Sequence, residues 1–210
     1  MTSAPRILAL DLSLTATGWC LHGECGRIRT SFRGMERIDA IARQIQALAS
    51  GVELVVIEGY SFGSKGRSVF DVAELGGCVR FLLHRLSIPF VCVPPATLKK
   101  YATGRGNCGK DEMIAAAIRR FGFGGSDNNE ADAFLLWCMA RHAYEDPVAR
   151  VPQPQAAAVR AVSWPALEEG LRTRMEAGSL IIRWSFYPVQ WSAVSAAAPS
   201  ERGEIGRAHV

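Results

Sequence analysis

Three acidic side chains stand where an acid is out of keeping with its neighbours. Asp11 closes the apolar run Ile7-Leu8-Ala9-Leu10, Glu58 closes Leu54-Val55-Val56-Ile57, and Asp132 lies among the apolar residues between Ala131 and Met139. A charge at the end of a buried strand is costly to desolvate unless it is paired or holds a metal. Carboxylates are hard oxygen ligands that favour Mg²⁺ or Mn²⁺. Two such ions held about 3.5–4 Å apart activate a water and stabilise the leaving oxygen of a phosphodiester, without a nucleophilic side chain. That chemistry suits acids that have no Ser, Cys or His partner. His22, His84, His142 and His209 show no ligand spacing and read as structural or exposed. For Asp11 alone, a cap on the turn that follows is an equally good reading.

Cations accompany the acids. In ATLKKYATGRGNCGKDEM, Lys99, Lys100, Arg105 and Lys110 are set around Gly104, Gly106 and Gly109, which leaves a basic loop free to approach a backbone. Lys99 and Lys110 suit a scissile phosphate or its neighbours, and Lys110 at a helix start adds to the positive end of the dipole. A solvated basic loop has the same composition. Tyr60 and Phe62, directly after Glu58, either stack on an unpaired base or pack the strand-to-loop corner. Lys65 and Arg67 are candidates for backbone contacts. Asn129 and Asp132 are spaced i, i+3, so one helix face carries two oxygen donors while Glu130 projects elsewhere.

These residues need strands and helices to bring them together. Apolar patterning predicts strands over 7–12, 17–22 and 27–32, with breaks at 15–16 and 23–26 that make two hairpins. Met35, Ile38, Ile41, Ala42, Ile45 and Leu48 recur at helical intervals, and Gly51 follows. Then come a strand ending at Glu58, a helix over about 68–86, and a strand over 90–93 that Pro94-Pro95 terminates. Met113 to Phe121 mark a short helix, and a last one runs from near Asp127 toward Ala143. Hairpin strands followed by helix–strand alternation read as α/β.

The 210 residues fit one domain plus an appendage. The core is expected over 1–146, ending near Tyr144. Residues 147–210 are then a tail, with VPQPQAAAV as a Pro/Ala linker and Val162–Pro165 as a docking patch. A weak amphipathic helix over 166–177 and the aromatic stretch SLIIRWSFYPVQWSAV follow. The closing EIGRAHV looks like translated adapter sequence, so no function is attached to residues after about 165. A net charge of +4 and a pI near 8.8 permit a nucleic-acid partner without showing one. The six cysteines form no C-x-x-C pair and read as reduced, buried thiols of a cytoplasmic protein, and no run suits a membrane span.

With these residues in hand, the chain resembles the RuvC family of Holliday-junction resolvases, most closely its phage and prophage branch, within the RNase H-like superfamily. The motifs that carry the resemblance are DLSLTATGW, VVIEGYSFG, PPATLKKYATGRGNCGKDEM and DNNEADAFLLW, in this order over about 7–144. The resemblance implies an RNase H-like fold whose five-stranded mixed sheet has three antiparallel hairpin strands and then two parallel strands, flanked by helices. It implies that Asp11, Glu58 and Asp132 bind two Mg²⁺ ions, with Mn²⁺ able to substitute, and that Lys99 and Lys110 contact DNA. It also implies a homodimer that nicks two opposing strands of a four-way junction.

Two positions depart from the family pattern. Where an acid or His stands three residues before the last aspartate, this chain has Asn129, a weaker, uncharged ligand. A shift of the helix start would instead let Asp127 or Glu130 contribute. The aromatic wedge three residues after the glutamate falls on Ser61, which leaves its role to Tyr60 or Phe62. The expected function is therefore a Mg²⁺-dependent endonuclease for branched DNA. The alternatives are a non-catalytic junction-binding protein, motivated by Asn129, and an ATP-binding protein of the actin and sugar-kinase class, for whose second half the core has no room.

Overall fold

The computed structural model describes residues 4–59 and 67–167. Its elements in chain order are β1 (Ile7–Asp11), β2 (Thr17–Leu21), β3 (Glu24–Ile28), α1 (Gly34–Leu48), β4 (Leu54–Glu58), α2 (Arg67–Arg85), β5 (Phe90–Val93), α3 (Pro95–Thr103), α4 (Lys110–Phe121), α5 (Asn128–Ala143) and α6 (Gln153–Arg160). The strands form one sheet in the order β3-β2-β1-β4-β5. β1 is antiparallel to β2 and β2 to β3, whereas β4 runs parallel to both β1 and β5. This is the mixed sheet expected from the sequence.

Successive side chains of a strand point to opposite faces. Ile7 and Ala9 of β1, with Leu54 and Val56 of β4, enter a core shared with α3, α4, α5 and α6. Leu8, Leu10, Val55 and Ile57 enter a second core under α1 and α2. Both faces of the central strands are covered, so their sequences are apolar throughout instead of alternating. Each fully buried Leu or Ile in these strands contributes about 1.5–3 kcal/mol of transfer free energy. α5 is sandwiched between the sheet and the other helices, and nine of its residues from Ala131 to Ala140 are buried. No helix of the described residues is long and apolar enough to cross a membrane.

The structure differs from the sequence expectations in three places. The third strand is Glu24–Ile28, not 27–32, because β2 and β3 are joined by the two-residue turn His22-Gly23. Both turn residues have positive φ, 55° and 86°, which a tight antiparallel hairpin requires. Gly26 lies inside β3 opposite Trp19, whose indole would sit 2.7 Å from a Cβ placed there. Next, the stretch after Pro94 is a helix and not a loop. Pro95 occupies its first turn, where the missing N–H is harmless, Leu98, Tyr101 and Ala102 are buried, and Gly104 ends it at φ 88°.

The third difference lies in the expected linker. Residues 153–160 form α6, so the packed core extends past Tyr144 and residue 146 to Val159. Gln155 is buried and fully engaged: its Nε2 donates to the carbonyls of Tyr101 (2.8 Å) and Ala102 (2.9 Å), and its Oε1 accepts from Arg120 Nη1 (2.6 Å). Trp164 docks on the same side, donating Nε1–H to Val159 and meeting Tyr144 edge to face. Of the thiols, Cys20, Cys108 and Cys138 are buried as expected, but Cys92 is exposed on β5. The expected helix over 166–177, beyond its first two residues, and the aromatic stretch after it lie outside the described residues.

Candidate active site

The register of the central strands brings the acids together. Leu10 pairs with Ile57 in the parallel β1–β4 ladder, so Asp11 and Glu58, the next residues, end adjacent strands at the same level. α5 lies across β1 and β2 and carries Asp132 to the same point. One carboxylate oxygen from each of Asp11, Glu58 and Asp132 lies within 4.8 Å of the others, and all three residues are half-buried.

Such crowding is electrostatically unfavourable in the ionised state. Burial, then repulsion from Asp11 and Asp132, pushes the Glu58 carboxyl up to about 9. Burial and repulsion from Asp11 push Asp132 up to about 7, and burial raises Asp11 as well. The interaction with the Glu58 side chain, and then the charge of Lys110, offset part of the rise at Asp11. None of the three acids has an ion-pair partner among the described residues. A convergent set of oxygen donors that repel one another and have no ion-pair partner among the described residues fits a divalent cation.

Two lysines act on this cluster at longer range. Lys110, the first residue of α4, favours the ionised forms of Asp11 and Asp132, and Lys99 of α3 favours those of Glu58 and Asp132. Neither forms an ion pair among the described residues. Arg105, by contrast, is paired with Glu112 in the first turn of α4, so its charge is compensated, while Lys100 is exposed on α3. Of the remaining candidates, Tyr60, Phe62 and Lys65 lie outside the described residues. Arg67 begins α2, and its side chain lies outside them too.

The start of α5 is wired to the β1–β2 hairpin. Ser13 and Thr17 close the turn: the Ser13 N–H donates to Thr17 Oγ1 at 3.1 Å, and that hydroxyl donates to the Ser13 carbonyl at 2.6 Å. Asn129 Nδ2 donates to the Ala16 carbonyl at 2.9 Å. Gly18 lies under the helix, where a Cβ would come 2.1 Å from the Asn129 carbonyl oxygen, so only glycine permits this approach. Asp127 caps α5 by accepting from the N–H groups of Asn129 (2.9 Å) and Glu130 (3.3 Å).

Arg27 completes this arrangement. Its Nη1 meets Asp127 Oδ2 at 2.6 Å and its Nε meets Glu130 Oε1 at 2.9 Å. Asp127 and Glu130 are therefore engaged by Arg27, which corrects the expectation that a shifted helix start would recruit them as metal ligands. Gly18 pairs with Asp11 on one side and with Arg27 on the other, so β3 anchors the helix that presents Asp132. Sequence reasoning missed Arg27, because its partners lie 100 residues away and nothing local marks them.

The chain is 32% identical over 127 residues to the crossover junction endodeoxyribonuclease RuvC of Synechococcus sp. (strain WH7803), covering 82% of that protein and 54% of this one. The chain belongs to the RuvC family. The RuvC of Anaeromyxobacter sp. (strain K) is 27% identical over 140 residues, which is 73% of its length and 66% of this chain. Among solved structures, Thermus thermophilus RuvC superposes with a TM-score of 0.53 at 18% identity, over 67% of this chain and 96% of that one. T. thermophilus RuvC in complex with a Holliday junction substrate gives 0.52, over 63% and 90%. At that identity the likeness concerns the fold, and it agrees with the five-stranded sheet of this RuvC-family chain. No protein-family model matches the chain.

Proposed function

We propose that this chain is a Mg²⁺-dependent endodeoxyribonuclease that resolves four-way or otherwise branched DNA junctions, as its RuvC relatives are named for doing. The observation that carries the reading is the convergence of Asp11, Glu58 and Asp132 oxygens within 4.8 Å at the end of the central strands. A merely DNA-binding protein has no use for three mutually repelling, half-buried acids. In this reading Asp11, Glu58 and Asp132 hold two Mg²⁺ ions, for which Mn²⁺ can substitute, and the Asn129 amide oxygen is a fourth, uncharged donor. Ions bound there would supply water activation and leaving-group stabilisation for phosphodiester hydrolysis.

The protein groups orient the strand and hold it there. In this reading Lys99 and Lys110, close enough to the acids to favour their ionised forms, receive phosphates beside the cleaved bond, with Lys100 further out on α3. The Gln155 bonds hold the end of α3, and with it Lys99, at fixed depth.

A homodimer fits the surface of α2. Phe70 and Phe81 are exposed by 76% and 64%, and Gly77 lies between them with open space around it. The spacing i, i+7, i+11 puts all three on one stripe, which a second copy would cover. Two sites facing one junction would then cut opposing strands.

The test is incubation of a synthetic four-way junction, with linear duplex as control, in Mg²⁺ with the native chain or Asp11→Asn. Paired nicks on the junction that vanish in the variant support the reading. Cleavage that survives Asp11→Asn refutes the assigned chemistry.

A further inference from the structure

An open groove of about 720 Å³ adjoins the carboxylates, lined by Thr15, Ala16, Arg29, Thr30, Ser31 and Asn129. Asn129 joins the two places. Its residue lines the groove, while Asp132, one turn along α5, belongs to the acidic cluster. The lining holds one guanidinium, three hydroxyls and one amide, and no carboxylate. The acids nearest to it in sequence, Asp127 and Glu130, are engaged by Arg27.

Arg29 is exposed and has neither a hydrogen bond nor an ion pair among the described residues. An unpaired guanidinium beside hydroxyl donors is the chemistry of phosphate recognition, where a planar fork meets two oxygens and hydroxyls meet the rest. Position supports the same ligand. Asp11, Gly18 and Arg27 are aligned across β1, β2 and β3, and Arg29 lies two residues further on. Strand spacing puts that edge on the order of 10 Å from Asp11, a span that a few nucleotides of one strand cover. Lys99 follows β5, at the other edge of the sheet.

We propose that this groove is a second phosphodiester contact for the nucleic acid. Arg29, with the hydroxyls of Thr15, Thr30 and Ser31, grips the strand a few nucleotides from the cleaved bond, on the side away from Lys99. The strand is thus held at both edges of the sheet and stretched across the acids. This inference rests on the endonuclease reading.

The test compares the full native chain with Arg29→Glu. A labelled four-way junction is titrated in Ca²⁺ across a salt series, and single-turnover cleavage is then measured in Mg²⁺ at saturating protein. The inference expects Arg29→Glu to raise Kd by ~10-fold and to lower the slope of log K against log salt by ~1. The cleavage rate at saturation falls as well, since a strand released at Arg29 is no longer stretched across the acids. Unchanged Kd and slope with normal junction cleavage overturn the groove and leave the endonuclease reading intact. A native chain that neither binds nor cuts the junction overturns both. Circular dichroism checks the fold of Arg29→Glu. Should it fail to fold, Arg29→Gln and Ser31→Ala decide the matter by the same slope and Kd.

Discussion

The two flanks of the carboxylate cluster are built on opposite principles. On the α5 side the groups that fix the helix are engaged within the protein, Arg27 with Asp127 and Glu130, Asn129 with Ala16 and Ser13 with Thr17, and Arg29, just past β3, is the exception. On the α3 and α4 side, Lys99 and Lys110 form no ion pair among the described residues and act on the acids only at a distance. Bonds within the protein fix where the acids stand, which ion binding demands to within a fraction of an ångström. Unpaired cations leave affinity for an outside polyanion. The difference separates residues that position the chemistry from residues that receive the substrate, and mutation should separate them too.

The largest effect falls on the cluster itself. Asp11→Asn should lower junction cleavage by at least about 10³-fold while junction binding survives, because the lysine side is untouched. Arg27→Met should reduce the cleavage rate by about 10–100-fold and raise the Mg²⁺ concentration needed for half-maximal rate, without raising the Kd for the junction. A Mg²⁺ titration of the cleavage rate reads both. Lys110→Ala should do the reverse: Kd rises by about 5–10-fold, the salt slope falls by ~1, and the rate at saturation stays close to native. If Arg27→Met and Lys110→Ala gave the same pattern, the contrast between the flanks would be wrong.

A smaller effect reads the cluster without a substrate. Glu58 at about 9 and Asp132 at about 7 lie above their ordinary 4.5 and 3.8, so the folded, metal-stripped protein keeps protons that the unfolded chain has lost. The stability these groups contribute is complete below their ordinary values and is lost as pH rises through 7 and then 9. The melting temperature of metal-stripped protein should therefore fall between about pH 6 and 9, on the order of 5 °C. Excess Mg²⁺ should reverse the fall, since the ion replaces the protons. Least in effect on chemistry, Phe81→Glu should halve the mass seen by sedimentation while each subunit keeps its fold.

The sheet was legible because its central strands are apolar on both faces and end abruptly in acids, a pattern that short-range reading can see. The acids were legible for the same reason. The β3 register was not, because His22-Gly23 is a two-residue turn whose first position carries a residue that rarely takes φ of 55°. α3 was hidden by Pro94-Pro95, which stops a strand and starts a helix with equal ease. Arg27 and Arg29 were invisible as functional residues, since their meaning depends on α5 and on the β1–β2 turn folding against β3. Asn129 was read from its spacing as a partner of Asp132, and the bond its amide makes to Ala16, 113 residues away in sequence, was out of reach of that reading.

α6 bears on how this chain can be handled. Its run of alanines has the composition of a spacer, yet small side chains are what let its backbone lie close enough for Gln155 to reach two carbonyls of α3. A fragment trimmed at residue 146 on compositional grounds would expose those carbonyls, the Arg120 guanidinium and the apolar seam beneath α6. Dissection of the protein into an expressible catalytic unit should therefore begin with a cut after Leu167, where every packing partner of α3 among the described residues is retained.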